Sequence, residues 1–310
     1  MNLTDKIYND EDAARIHLEA IRWPNGVICP ICGGTDKIKP SKMKNKATKA
    51  NPVPKEVRGY YHCGDCCDRF TVRTGMIYER SHIPLHKWVL ATHLLCSSKK
   101  GMSAHQLHRM LGLTYKSAWF MAHRIREAMM ETFGEPMGGE GESVQIDETY
   151  FGKKEVVTKR TIRGKPSHSS KMSVVTLVSK GKSRTFHVDT ANVATIREIL
   201  AKNVKQETAL HTDESNLYKK VGQEYGDHKT VKHTAGQYVN KGVHVNSCEN
   251  YFSIFKRGMR GVYQHCKEKH LQRYLNEFDF RYNSRDITDS DRALLCLKGA
   301  EGKRLTYRGA

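Results

Sequence analysis

Two short cysteine pairs constrain this chain more than anything else in it. Cys29-Pro30-Ile31-Cys32 and Cys63-Gly64-Asp65-Cys66 stand 30 residues apart. A CxxC turn aims two thiolates at one point, and two such turns complete a tetrahedral Cys₄ zinc site with Zn–S distances of ~2.3 Å. The segment between them must therefore fold back on itself. Gly33-Gly34 and Gly64 suit the tight turns, and Tyr61 and Phe70 flank the second pair as material for a small core. A redox dithiol is the competing reading, but it calls for one CxxC in a βαβ setting, and neither pair has that context. The run Cys66-Cys67 leaves two ways to finish the second turn, and the spacing favours Cys66. Thiols kept for a metal imply a reducing compartment, in which Cys96, Cys248, Cys266 and Cys296 read as small buried hydrophobes.

The charge balance names a class of partner. The 310 residues carry 52 Lys and Arg against 33 Asp and Glu, a formal +19, which points to an anionic polymer and first of all to nucleic acid. No stretch approaches the ~18 uninterrupted apolar residues of a membrane span. The opening MNLTDKIYNDEDAARIHLEA is acidic where a secretory signal is basic and then apolar. A cytoplasmic protein with no membrane contact is expected.

Pattern divides the chain into zones. Residues 1–22 read as a short amphipathic helix that stops before Trp23-Pro24-Asn25-Gly26. Residues 23–80 form a zinc ribbon whose insertion, 35–58, holds seven Lys and one Arg against Asp36 and Glu56. Residues 81–135 are helical and predict a helix-turn-helix. There, Gly112 suits the end of one helix and Thr114 the N-cap of the next. The second helix offers Tyr115, Lys116 and Ser117 to base edges, with Arg124 nearer the phosphates. A plain helical hairpin is the alternative, against which the adjacent ribbon and the basic charge argue. Residues 140–285 begin with strand patterns at 144–146, 173–178 and 184–188, then alternate helix and strand, which predicts a mixed α/β domain with its own core. Residues 286–310 read as a C-terminal tail.

Carboxylates in apolar strands carry the chemistry. Asp147 ends the run Val144-Gln145-Ile146, where an unpaired buried charge is costly unless a cation neutralises it. Asp213 closes a second short strand, Thr208-Ala209-Leu210-His211-Thr212. Two such carboxylates suit hard, oxygen-ligated Mg²⁺ or Mn²⁺. In Asn246-Ser247-Cys248-Glu249-Asn250-Tyr251-Phe252-Ser253-Ile254-Phe255-Lys256, Glu249 and Lys256 are seven apart and share one helix face. A third carboxylate and an amine therefore point into one site.

These motifs resemble the bacterial insertion-sequence DDE transposases that carry an N-terminal zinc ribbon (the ISXO-type group). The likeness runs from Trp23-Pro24 and the first knuckle, through Phe70-Thr71-Val72-Arg73-Thr74-Gly75-Met76 and Leu85-His86-Lys87-Trp88, to Val144–Thr149 and His211-Thr212-Asp213. Its most specific stretch is His244–Gly258, and His270–Asn283 closes it. The resemblance implies an RNase H-like mixed-sheet catalytic core, and it assigns Asp147, Asp213 and Glu249 to two catalytic metal ions and Lys256 to a basic role; the family also allows Asn at the third position, where Asn246, one turn before Glu249, competes, and the carboxylate is preferred because an amide does not neutralise a cation. The implied reaction is in-line displacement at phosphorus, by water at the element end and then by a 3′-hydroxyl on target DNA. Arg257 and Arg260, and a basic loop from Lys153 to Lys165, extend the expected contact with double-stranded DNA. Pairing two DNA ends calls for at least a dimer during reaction. A DNA-binding regulator that has lost cleavage, and a nuclease of the same fold that does not join strands, are the rival readings; the intact Asp147, Asp213, Glu249 and Lys256 argue against the first.

Overall fold

In the computed structural model the described residues are 2–44, 56–131, 134–155, 170–231 and 244–306. They form two compact units, one built from Met1–Ser98, Met102–Met129 and Ile287–Ala310 and the other from Lys99–Gly101 and Met130–Asp286.

The first unit opens with α1 (Glu11–Arg22), capped by Asp10, whose carboxylate accepts from Ala13 N at 2.7 Å. The zinc ribbon follows as strands β1 (Ile38–Pro40), β2 (Met43–Lys44), β3 (Glu56–Val57), β4 (Tyr60–Cys63) and β5 (Arg69–Thr71). Strands β1, β4 and β5 make an antiparallel sheet, and β2 pairs with β3 at the base of the basic insertion, whose residues 45–55 lie outside the described residues. Tyr61 and Phe70 stack at 5.6 Å between centroids, with Trp23 edge-on to both. The helices are α2 (Leu85–Ser97), α3 (Ala104–Leu111) and α4 (Tyr115–Met129). Helix α2 is apolar around its circumference, burying Leu85, Trp88, Val89, Ala91, Leu95 and Cys96, because it is covered on several sides.

One of those covers corrects the sequence reading. The tail expected at 286–310 is folded over its described residues, 286–306, where a helix spanning Asp289–Lys298 packs along α2 and buries Ala293, Cys296 and Leu297. The segment beyond it is tied in as well, with Ile77 N donating to Ala300 O at 3.1 Å and Lys303 Nζ to Ala128 O at 3.3 Å. So short an apolar run cannot make a core alone, and it completes one begun two hundred residues earlier.

The second unit is an α/β domain. It contains β6 (Ser143–Phe151), β7 (Met172–Ser179), β8 (Lys182–Val188), α5 (Val193–Asn203), β9 (Ala209–Asp213), α6 (Asn216–Gly222), β10 (Asp227–Val231), α7 (Asn246–Gly258) and α8 (Leu271–Asn283), and the Asp289–Lys298 helix is then α9. The sheet order is β10-β9-β6-β7-β8. Strands β6, β7 and β8 form the antiparallel meander expected from sequence, and the crossover through α5 brings β9 back parallel to β6. All eight residues of β7 are buried, as in a strand covered on both faces. On one face Val144, Ile146, Val175 and Leu177 pack on Ile196, Leu200, Tyr218 and Val221 of α5 and α6. On the other, Met172, Val174 and Val178 pack on Cys248, Phe252, Phe255, Leu275 and Phe278 of α7 and α8. At Gly258, where α7 meets α8, a Cβ would lie 2.5 Å from the Phe278 ring, so the crossing requires glycine. This is the mixed α/β domain with its own core that the sequence predicts over 140–285.

Candidate catalytic and zinc sites

The four thiolates of Cys29, Cys32, Cys63 and Cys66 lie within 4.8 Å of one another. The Sγ separations of Cys29 from Cys66 and of Cys32 from Cys63 are 3.7 and 3.6 Å, close to the ~3.8 Å edge of a tetrahedron with Zn–S bonds of ~2.3 Å. The knuckles are shaped by backbone bonds: Gly33 N donates to Cys29 O, Cys29 N to Gly34 O, and Gly64 N to Lys37 O. Backbone N–H groups of Cys66 and Asp65 help to pull the Cys63 thiol down to about 7, while against the pull of the Asp68 N–H burial and the neighbouring thiols push Cys66 up to about 12, so a metal that takes all four sulfurs must displace the protons the cluster shares. Cys67 stands outside the cluster, exposed and at φ +59°, so the ambiguity of the CxxCC run resolves to Cys66.

Asp147 and Asp213 sit on neighbouring strands. The parallel pairing of β6 with β9 runs from Ser143 beside Ala209 to Gln145 beside His211, and each aspartate is two residues further along its own strand. Being two apart, Gln145 and Asp147 leave the same face, and that face is α7's, since Gln145 Oε1 accepts from Ser247 N at 3.0 Å. Asp147 is pushed up to about 8, mainly by burial and further by the negative charges of Glu148, Asp213 and Glu249. The Glu148 N–H, which donates to Asp147 Oδ1 at 2.8 Å, pulls the other way. Asp213 Oδ1 accepts from Ser215 N at 3.0 Å, which shapes the turn into α6. Lys256 lies in the same field: burial and the charges of Arg260 and Lys171 lower its pKa while Asp147 raises it. Its Nζ stands 5.9 Å from the Phe252 ring centroid.

Asp213 and Glu249 thus both bear on Asp147 electrostatically, but the carboxylate oxygens are not gathered as tightly as the thiols; among the described residues only the Cys₄ group has all its ligand atoms within 4.8 Å. Glu148, pointing to the opposite face, is a half-buried carboxylate the sequence reading passed over, and it accepts a hydrogen bond from Tyr218 OH of α6. Lys171 was also passed over, because nothing in its local sequence relates it to α7, 85 residues later.

Residues 139–283 match the ISXO2-like transposase domain and residues 9–69 match the transposase zinc-ribbon domain. Residues 139–283 are thus an ISXO2-like transposase domain, joined in one chain to the zinc ribbon of transposases. It is 29% identical over 293 residues to the "Uncharacterized protein in transposable element ISH50" of Halobacterium salinarum, covering 89% of this chain and 92% of that protein. That relative is archaeal, so the likeness is not confined to bacteria. A solved structure, the Mos1 transposase paired-end complex with left transposon end, overlaps 68% of this chain and 74% of its own at 10% identity and a TM-score of 0.28. No described helix of this transposase is long and apolar enough to cross a membrane.

In the helical part of the transposase, α3 ends at Gly112 with φ +59°, and Thr114 Oγ1 accepts from Ser117 N at 3.2 Å to begin α4. Tyr115 and Lys116 are exposed at that start, with Tyr115 stacked on His105 at 4.3 Å, while the Ser117 hydroxyl is engaged by Thr114. Arg124 departs from expectation. It is 6% exposed, and its guanidinium donates to Leu305 O at 3.1 Å and Glu79 O at 2.9 Å, so it holds the first unit together and does not reach phosphates. Arg257 and Arg260 are exposed at the end of α7 and just beyond it. The basic loop expected to touch DNA lies outside the described residues from 156 to 169.

Proposed function

We propose that this transposase binds the ends of its own insertion sequence and catalyses metal-dependent strand cleavage and strand transfer, with Asp147, Asp213 and Glu249 as ligands for two Mg²⁺ or Mn²⁺ ions and Lys256 as the basic partner. The observation that carries the reading is the electrostatic position of Asp147, a largely enclosed carboxylate whose strongest charged neighbours are three other carboxylates. Such a group is unfavourable until a cation shares the site, and an all-oxygen donor set fits hard divalent ions. When bound, those ions supply activation of the attacking oxygen and charge neutralisation at the leaving one.

The chain's own residues do the rest. Lys256, Arg260 and Lys171 offer positive charge beside the carboxylates, where a phosphodiester backbone would otherwise be repelled. Asp213 is held by the Ser215 N–H, and Asp147 by the N–H of Glu148, so both ligands are oriented before any ion arrives. The zinc ribbon and the exposed start of α4, with Tyr115, Lys116 and Ser117, serve to hold the DNA end. Two copies on paired ends complete the reaction.

The test is a gel assay with Mg²⁺ or Mn²⁺ on duplex DNA from both flanks of the gene, comparing wild type with Asp147→Ala. Discrete nicks at the element boundary and joined products, both absent in the variant while DNA binding persists, are expected. Metal-dependent cutting by Asp147→Ala at the wild-type rate would remove the site assignment. Specific binding with no product from a zinc-loaded wild type would favour a DNA-binding regulator instead.

A further inference from the structure

Helix α7 begins without a cap from its own flank. The residue before it is Val245, whose side chain has no acceptor and makes no capping bond, while the first N–H groups of any helix lack intrahelical partners. One of those groups is satisfied from 102 residues away, where Ser247 N donates to Gln145 Oε1 at 3.0 Å. Gln145 belongs to β6 and precedes Asp147 by two, on the same face; Ser247 precedes Glu249 by two on α7.

An N-cap supplied by the preceding residue fixes only the start of its own helix. A cap supplied by a strand fixes the helix to the strand. Here the strand carries one proposed metal ligand and the helix carries another together with Lys256, so the bond couples the two halves of the site. Glutamine also suits the position electrically, because it presents an acceptor oxygen to the helix without adding a fourth negative charge around Asp147.

We infer that Gln145 is a positioning residue: its amide oxygen sets the depth and rotation at which α7 presents Glu249 and Lys256 to Asp147. The inference rests on the proposed reading of the carboxylates, and it concerns a group that touches neither metal nor DNA. Misplacement on the scale of one hydrogen bond is enough to cost about 10–100-fold in rate.

The test compares Gln145→Met, which keeps the shape and loses the acceptor, with Gln145→Glu, which keeps the acceptor. A third variant, Ser247→Pro, removes the donor from the opposite side, in a first turn that tolerates proline. Two quantities are read on the full-length protein: hydrogen exchange of the amides at the start of α7, and the cleavage rate at saturating Mg²⁺ alongside DNA affinity. Expected are faster exchange and about 10–100-fold slower cleavage with unchanged DNA affinity for Gln145→Met and Ser247→Pro, and for Gln145→Glu recovery of the exchange protection with only part of the rate, since it adds a negative charge beside Asp147. Unchanged exchange or a wild-type rate in Gln145→Met, or equally fast exchange in Gln145→Met and Gln145→Glu, would overturn it. Asp147→Ala, run in parallel, separates the two levels: if it still cleaves, the carboxylate reading falls and the inference with it; if it is dead while Gln145→Met is normal, only the inference falls.

Discussion

A carboxylate enclosed without a cation beside it makes its protein sensitive to pH, and Asp279 on α8 is such a group. Its oxygens accept from Ser183 Oγ at 2.7 Å and from Thr185 N and Oγ1 at 2.8 Å each. Those bonds pull its pKa down, yet burial outweighs them and holds it up at about 6, against ~3.9 in an unfolded chain. Between those values the folded state binds more protons than the unfolded one, so the contribution of this group falls as pH rises from ~4 through about 6. The swing is on the order of 3 kcal/mol. Urea unfolding of wild type and Asp279→Asn across that range should show the stability difference between them shrinking as pH rises, then levelling above pH 7. Parallel profiles would show that Asp279 is not the titrating group. The zinc knuckle makes a comparable single-residue prediction: Cys66→Ser loses the metal, measured by zinc content of the purified protein, and Cys67→Ser keeps it, because only the first thiolate joins the cluster.

At the level of elements, what could be read from sequence is what local chemistry specifies. The ribbon announces itself because ligand spacing is covalent, and the α3–α4 turn because Gly112 must take a positive φ and Thr114 must cap. The meander and Asp147 within it were visible as alternation broken by a charge. The Gln145 cap, the Glu148–Tyr218 bond and the role of α9 were not, since each joins residues 70 or more positions apart and leaves no local mark. Arg124 shows the same limit inside one helix. Its residue type suits phosphate, but α4 is covered where Met121 and Ile125 flank it, and backbone carbonyls meet the guanidinium there. This separates two variants of one helix. Lys116→Ala should weaken binding to the element end, lower the slope of log affinity against log salt by about one, and leave the melting temperature alone. Arg124→Ala should leave that slope unchanged and lower the melting temperature, by on the order of 1–3 kcal/mol of stability for the carbonyls left without donors. Salt titrations of binding and thermal melts of both variants check the pair, and interchanged phenotypes would reverse the assignment.

For the whole molecule, connectivity and compactness do not coincide. Most of the catalytic unit is inserted between α4 and α9 of the unit that contains the zinc ribbon, so the first unit can close only after the last helix has been made. Its closure is specific: Arg292 Nη1 donates to Cys96 O at 3.0 Å, Ala300 O accepts from Ile77 N, Leu305 O accepts from Arg124 Nε, and α9 shields the apolar side of α2. Removing residues 287–310 would leave Trp88, Leu95 and Cys96, now 1% exposed or less, without part of their cover, and each large apolar side chain returned to water costs roughly 1.5–3 kcal/mol. Against a total domain stability of ~5–15 kcal/mol that loss is decisive for the first unit, whereas the described core clusters of the other, on β6, β7, α5, α6, α7 and α8, contain no residue of α9. Calorimetry of the truncated chain should therefore show the transition of the first unit lost or moved far down while that of the catalytic unit stays in place, with DNA-end affinity falling alongside it. Two intact transitions after truncation would mean that α9 is an ornament on the first unit and not a part of its core.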